Sequence, residues 1–166
     1  MMLSGTNKSK GRAAPESARQ GPSGARKRPR ATGVERRERI QVLWAKALAA
    51  ARSARLLGDS GDPDGAINRA YYATFGAARA ALATARFAQA SSKQHGTIYR
   101  RFDKLFVQER GLDPSLGRPL FQRLSSARAA ADYGRSQANA EAALRALGEM
   151  ERFLAAVEPF LRKAKA

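Results

Sequence analysis

Residues 62–82 read Asp62-Pro63-Asp64-Gly65-Ala66-Ile67-Asn68-Arg69-Ala70-Tyr71-Tyr72-Ala73-Thr74-Phe75-Gly76-Ala77-Ala78-Arg79-Ala80-Ala81-Leu82, and this stretch decides the fold. Ile67, Tyr71, Phe75, Ala78 and Leu82 recur at steps of three and four, the spacing of one helical face. Asp62 is suited to cap the helix start. Pro63 suits its first position, where an N–H would have no helical partner anyway. Ala73, Gly76, Ala77 and Ala80 carry almost no side chain, so a neighbouring helix can pack closely against this one.

The flanking segments supply the neighbours. Ile40, Leu43, Ala47, Ala50, Ala54 and Leu57 form one stripe and predict a helix over about 34–57, ended by Gly58 and the acidic turn Asp59-Ser60-Gly61-Asp62-Pro63. Ser91, Ser92, Lys93 and Gln94 interrupt the pattern. A third helix carries Ile98, Phe102, Leu105 and Phe106 and stops near Gly111, and Asp113-Pro114-Ser115 opens a loop or short turn. Pro119 fits the first turn of a fourth helix with Leu120, Leu124, Ala127 and Ala131, which Gly134 can cap. A fifth is expected from about Ser136, with Ala140, Leu144, Leu147, Met150, Leu154, Val157 and Leu161 on its stripe. Pro159 should kink or fray its last turn. No segment alternates as a strand would. The expectation is an all-α, up-and-down bundle of four long helices plus a shorter one, with consecutive helices as antiparallel neighbours. An alanine-rich core buries modest apolar volume, so self-association is a natural supplement.

A chain of 166 residues fits one domain. With no cysteine and one histidine, a disulfide framework, a thiolate metal site and a three-histidine zinc are excluded, and no metal or cofactor is expected. No apolar run approaches the roughly 20 residues of a membrane span, so a cytoplasmic protein that does not enter membranes is expected. Residues 1–33 hold only Met1, Met2 and Leu3 as large apolar side chains. They cannot offset the entropy of ordering, about 1–2 kcal/mol per residue, and read as a disordered basic tail preceding a bundle over 34–166. A start assigned too far upstream, an organelle transit peptide or an RNA-binding arm are the other readings of that tail.

The formal charge is +17, with 10 basic and 3 acidic residues in 1–38 and 21 basic and 11 acidic in 39–166. Such a surface attracts polyanions through counterion release. Arginine outnumbers lysine 23 to 8 and alanine contributes 35 residues, however, a bias that GC-rich coding also produces.

Three clusters carry candidate chemistry. In 68–75, Tyr71 and Phe75 share the core face while Arg69 points away from it. In Ser92-Lys93-Gln94-His95-Gly96, His95 is the one side chain whose ordinary pKa lies near neutrality, hence the first candidate for proton transfer. Lys93 and the N–H groups of a helix start beside it favour a phosphate. In Arg128-Ala129-Ala130-Ala131-Asp132-Tyr133, Arg128 and Asp132 are four apart and can pair. Tyr133 lies about 140° round the helix from Arg128. That segment is either a surface ion pair with a half-buried tyrosine, or an arginine held by Asp132 for a phosphate with Tyr133 as a hydroxyl donor.

Asn68-Arg69-Ala70-Tyr71-Tyr72-Ala73-x-Phe75, Lys93-x-His95-Gly96, Phe102 to Val107 and Arg128-x-x-x-Asp132-Tyr133, in this order, resemble the HEPN domain. The likeness is to stand-alone prokaryotic members whose fourth helix ends in Arg-x-x-Ala-Asp-Tyr, and it covers 34–161. The resemblance implies a helical homodimer and a frequent partner, a minimal nucleotidyltransferase, often as a toxin–antitoxin pair. It also implies a metal-independent endoribonuclease built on an arginine followed four to six residues later by a histidine. Arg128 matches the arginine, and Tyr133 stands where the histidine is expected. Arg128, Asp132, Tyr133 and His95 are thus the catalytic candidates. Arg69, Tyr72, Lys93 and Arg128 are candidates for holding a phosphate, nucleotide or RNA. A non-catalytic module that binds nucleotide or docks a partner, and a purely structural helical dimer, are the alternatives.

Overall fold

The computed structural model describes residues 32–87, 90 and 94–164. Among the described residues five α-helices run in order: α1 (Gly33–Asp59), α2 (Pro63–Thr84), α3 (His95–Phe102), α4 (Arg118–Tyr133) and α5 (Ala140–Lys163). No strand occurs among the described residues, so the all-α bundle is observed as expected. Of the anticipated tail, 1–31 lie outside the described residues. Its last two positions belong to the start of α1 instead. Thr32 Oγ1 accepts from the Glu35 N–H at 3.2 Å and the Glu35 carboxylate accepts from the Thr32 N–H at 2.8 Å, a reciprocal cap that starts the helix at Gly33.

The layout is not a chain of equal neighbours. Helix α2 is the hub and packs on α1, α5, α4 and α3, while the consecutive pair α4 and α5 touch little. Alanine explains this. Ala66, Ala70, Ala73, Ala77, Ala80 and Ala81 are all buried, so α2 can be approached from several sides. Against α1 the approach is close at Gly76, where a Cβ would come within 3.2 Å of the Ala47 Cβ. The volume that alanine does not fill is supplied at the other end by Phe102, Phe106, Phe121 and Phe153, whose rings meet at 4.9–5.6 Å.

The third helix departs from expectation. After Phe102 it widens into a π-turn over Asp103–Gln108 before a left-handed Gly111 (φ 70°) ends it. The widening brings the Asp103 carboxylate to the start of α4, where it accepts from the Arg118 N–H at 3.0 Å. Gly117, the residue before α4, has no side chain to do this. A Cβ there would lie 2.4 Å from that carboxylate. Helix α4 is therefore capped from the α3 segment, which locks together the two helices that carry His95 and Arg128.

Three further expectations need correction. The fifth helix begins at Ala140, not near Ser136, because Asn139 supplies the cap and the Ala138 N–H is held by Asp64 at 2.9 Å. Leu144 is 68% exposed, and the buried face runs through Ala143, Ala146, Met150, Phe153, Leu154, Val157 and Leu161. The helix also continues through Pro159 to Lys163. Gly134 does end α4, but with an ordinary φ of −68°. Glycine is required there because a Cβ would strike the Ala130 carbonyl at 2.2 Å.

Candidate functional site

One side of α2, which shares Tyr71 and Phe75 with the core stripe, presents Asn68, Tyr71, Tyr72, Phe75 and Arg79. Helix α4 lays Arg128 and Asp132 across it, and α3 begins beside it with His95. The Arg128 guanidinium sits 5.3 Å from the ring centres of both Tyr71 and Tyr72, which stand edge to face. Arg128 Nε lies 2.8 Å from Asp132 Oδ2, and the other carboxylate oxygen accepts from Asn68 Nδ2 at 2.8 Å. Asn68 thus orients Asp132, which orients Arg128. Among the described residues the terminal nitrogens of Arg128 donate no hydrogen bond, although its side chain is only 27% exposed. A half-sheltered fork of donors with nothing to donate to suits an incoming anion.

His95 joins the same cluster. Its Nδ1 is 2.5 Å from the Tyr71 hydroxyl, and its ring stacks on Phe75 with centres 4.1 Å apart. Partial burial pushes the imidazole pKa below its ordinary 6.5, and the nearby cations Arg128 and then Arg79 push it further the same way. The ring is therefore neutral at pH 7. For Arg128, burial works against the charge, but Tyr72, Asp132 and Tyr71 outweigh it and its pKa is raised. The Tyr99 hydroxyl is buried without a hydrogen bond of good geometry. Burial, then the adjoining Tyr71 phenol, raises its pKa, so it stays protonated. Arg79 ties the connection after α2 by donating from Nε to the Ala90 carbonyl at 2.8 Å, and stacks over Phe75 at 5.6 Å.

Of the residues singled out from sequence, Arg128, Asp132, His95 and Tyr72 are thus brought together in a single chain. Arg69 is exposed and forms no hydrogen bond or ion pair among the described residues. Tyr133 is 82% exposed and forms no hydrogen bond or ring contact with Arg128 among the described residues. Lys93 lies outside the described residues. Sequence reasoning treats Tyr71 as core and gives Asn68 no task. Tyr71 is indeed buried, at 3% exposure, yet it is the side chain that joins the imidazole to the guanidinium. The spacing of Asn68, Tyr71, Tyr72 and Phe75, at three, four and seven, is the available signal that polar and aromatic groups share one face.

The imidazole of His95, the unoccupied terminal nitrogens of Arg128 and the phenol of Tyr72 in one site can hold an anionic diester and take a proton from a hydroxyl beside it. Among the described residues no three metal-ligating side chains converge, and no helix is long and apolar enough to cross a membrane. The arrangement defines a helical-bundle domain whose solvent-facing site combines arginine and imidazole. A family model of the HEPN domain matches residues 40–160, from the first core residue of α1 into the last turns of α5, and the chain belongs to the HEPN domain family. A search of curated proteins found no match.

Proposed function

We propose that the protein is an endoribonuclease that cleaves RNA without a metal, with Arg128 and His95 as its catalytic residues. The observation that carries this is the meeting of the only imidazole and an unsatisfied guanidinium on one tyrosine, Tyr71. Two tautomers of a neutral His95 are compatible with that contact. The one that donates Nδ1–H to the Tyr71 oxygen leaves a lone pair on Nε2, and this is the reactive form. Nε2 removes the proton of a ribose 2′-OH, and the 2′ oxygen attacks the adjacent phosphorus. Arg128 stabilises the added negative charge of the phosphorane. The P–O5′ bond breaks, water protonates the departing oxygen, and the imidazolium returns its proton to water. The products are a 2′,3′-cyclic phosphate and a 5′-OH end. Tyr72, at the rim, offers a ring edge to the neighbouring nucleoside, and Asp132 and Asn68 act by positioning Arg128.

His95 takes over what the missing family histidine would do after α4, because a phenol is a poor general base at neutral pH. The paired basic sites of a homodimer, a minimal nucleotidyltransferase as partner and a toxin role in the cytoplasm complete the proposal. They are supported by the family to which the chain belongs.

The test is incubation of purified protein with single-stranded RNA in EDTA. Cleavage to cyclic-phosphate ends is expected. Arg128→Ala should lose about 10²–10³-fold, as for removal of an oxyanion donor. His95→Ala should lose about 10²–10⁴-fold. Intact RNA in the wild type, or full activity in Arg128→Ala, would overturn the proposal. A second reading, nucleotide binding without catalysis, is favoured by Tyr133 at the histidine position. It predicts Arg128-dependent nucleotide binding with no cleavage.

A further inference from the structure

Between Asp64 and Asp103 the chain carries no acidic residue, whereas Arg69, Arg79, Arg86, Lys93, Arg100 and Arg101 all fall there. Two grooves border α3 in this region. One, of about 580 Å³, is lined by Arg86, Phe87, Thr97, Arg100 and Arg101 among others. The second, of about 460 Å³, runs between α3 and α4 and is lined by Tyr99, Arg100, Arg118, Gln122, Ser125 and Ser126 among others. Arg100 stands on the wall common to both. Of the arginines elsewhere, Arg55, Arg123, Arg145 and Arg162 are neutralised by glutamates, while others such as Arg69 are not, but those line neither groove. Arg86, Arg100, Arg101 and Arg118 form no ion pair among the described residues. Arg101 instead lies over the Phe87 ring at 5.3 Å.

This cationic surface leads to the candidate site. Gly96 in the second groove follows His95 directly, and the Tyr99 ring adjoins Tyr71. On the opposite wall Ser125 precedes Arg128 by three residues, about 4.5 Å along the helix axis, and Arg118 precedes it by ten, about 15 Å. Hydroxyl and amide groups of Ser125, Ser126 and Gln122 add donors for phosphate or ribose oxygens.

We propose that the two grooves beside α3 form a phosphate track for single-stranded RNA, with Arg100 and Arg118 as its principal contacts and Arg86 and Arg101 extending it. The track deepens the RNA-cleaving reading above by assigning the strand its path to Arg128. A flexible strand can bend its phosphates into concave clefts on both sides of one helix, whereas a duplex is a stiff convex rod. Unneutralised arginines at such clefts supply the counterion release that drives binding.

The full chain is titrated into a fluorescent 2′-O-methyl oligoribonucleotide, which lacks the nucleophile and stays intact, across a salt series. Wild type should bind the single strand, with log K falling linearly against log salt. Arg100→Ala combined with Arg118→Ala should flatten that slope by about 0.7 for each phosphate no longer neutralised, so about 1.4 in all. It should also weaken binding at least tenfold at low salt. The double lysine variant keeps the charges and should retain most of the slope, and Arg145→Ala should change nothing. Wild-type slope and affinity in the double alanine variant, absence of wild-type binding, or equal affinity for a duplex would each overturn the track. Binding that depends on Arg100 and Arg118 without any RNA cleavage would uphold the track and remove the nuclease. Cleavage with binding indifferent to both arginines would do the reverse.

Discussion

Replacing Tyr71 by phenylalanine removes one oxygen from the junction of the site and leaves everything else in place. The ring keeps its burial, its edge contact with Tyr72 and its face to Arg128. The hydroxyl that meets His95 Nδ1 at 2.5 Å is gone. A typical intramolecular hydrogen bond contributes about 0.5–1.5 kcal/mol net, and a buried group left unpaired costs about 1–3 kcal/mol. His95 is only half-buried, so water can partly replace the phenol and the lower figures apply. The expected loss is about 1 kcal/mol, or roughly 3–5 °C in Tm for a domain of this size. Tyr71→Ala would also remove the ring and should cost about 3–5 kcal/mol. Because the reactive tautomer donates Nδ1–H to the phenol oxygen and would lose that acceptor, Tyr71→Phe should lower RNA cleavage by about 10- to 100-fold, mainly in kcat. Thermal melts and single-turnover cleavage measure the two effects. A variant as stable and as active as wild type would show that the hydroxyl neither supports the fold nor orients the base.

Other outcomes follow from the same geometry. Asp132→Asn removes the charge that holds Arg128 but preserves shape. An i,i+4 pair of this kind is worth only about 0.3–0.5 kcal/mol, so stability should barely move while cleavage drops about tenfold or more, read by melts and rate assays on one preparation. Gly134→Ala should destabilise by about 1–3 kcal/mol in a denaturant titration, because its Cβ would meet the Ala130 carbonyl at 2.2 Å. His95 has a depressed pKa in the folded state, so the unfolded chain takes up the proton first. Its contribution to stability is complete above about pH 6.5. It declines as pH falls from there toward the folded-state value, which melts in a pH series would show.

The parts of the fold legible in the sequence are those set by local chemistry. Asp62 and Pro63 start α2, and its stripe of Ile67, Tyr71, Phe75, Ala78 and Leu82 is buried throughout. The start of α5 is not legible, because the Ala138 N–H is held by Asp64, 74 residues away. In an alanine-rich helix the phase of the buried face is weakly marked, and for that reason periodicity places Leu144 on the wrong side. The π-turn after Phe102 depends on Asp103 reaching across to α4, which no periodicity reports. The site divides in the same way. Arg128 and Asp132 pair at a spacing that can be read from the chain. Asn68 meets Asp132 across 64 residues and Tyr71 meets His95 across 24, and only the tertiary packing of α2 with α3 and α4 makes those contacts.

The chain's single histidine gives one set of imidazole resonances, so its titration by NMR can be followed without assignment. Compared between wild type and Arg128→Ala, it asks whether the imidazole and the guanidinium belong to one site. The account predicts a wild-type midpoint below 6.5 that moves upward when the arginine is removed. A midpoint at the ordinary value, unmoved by the substitution, would contradict it.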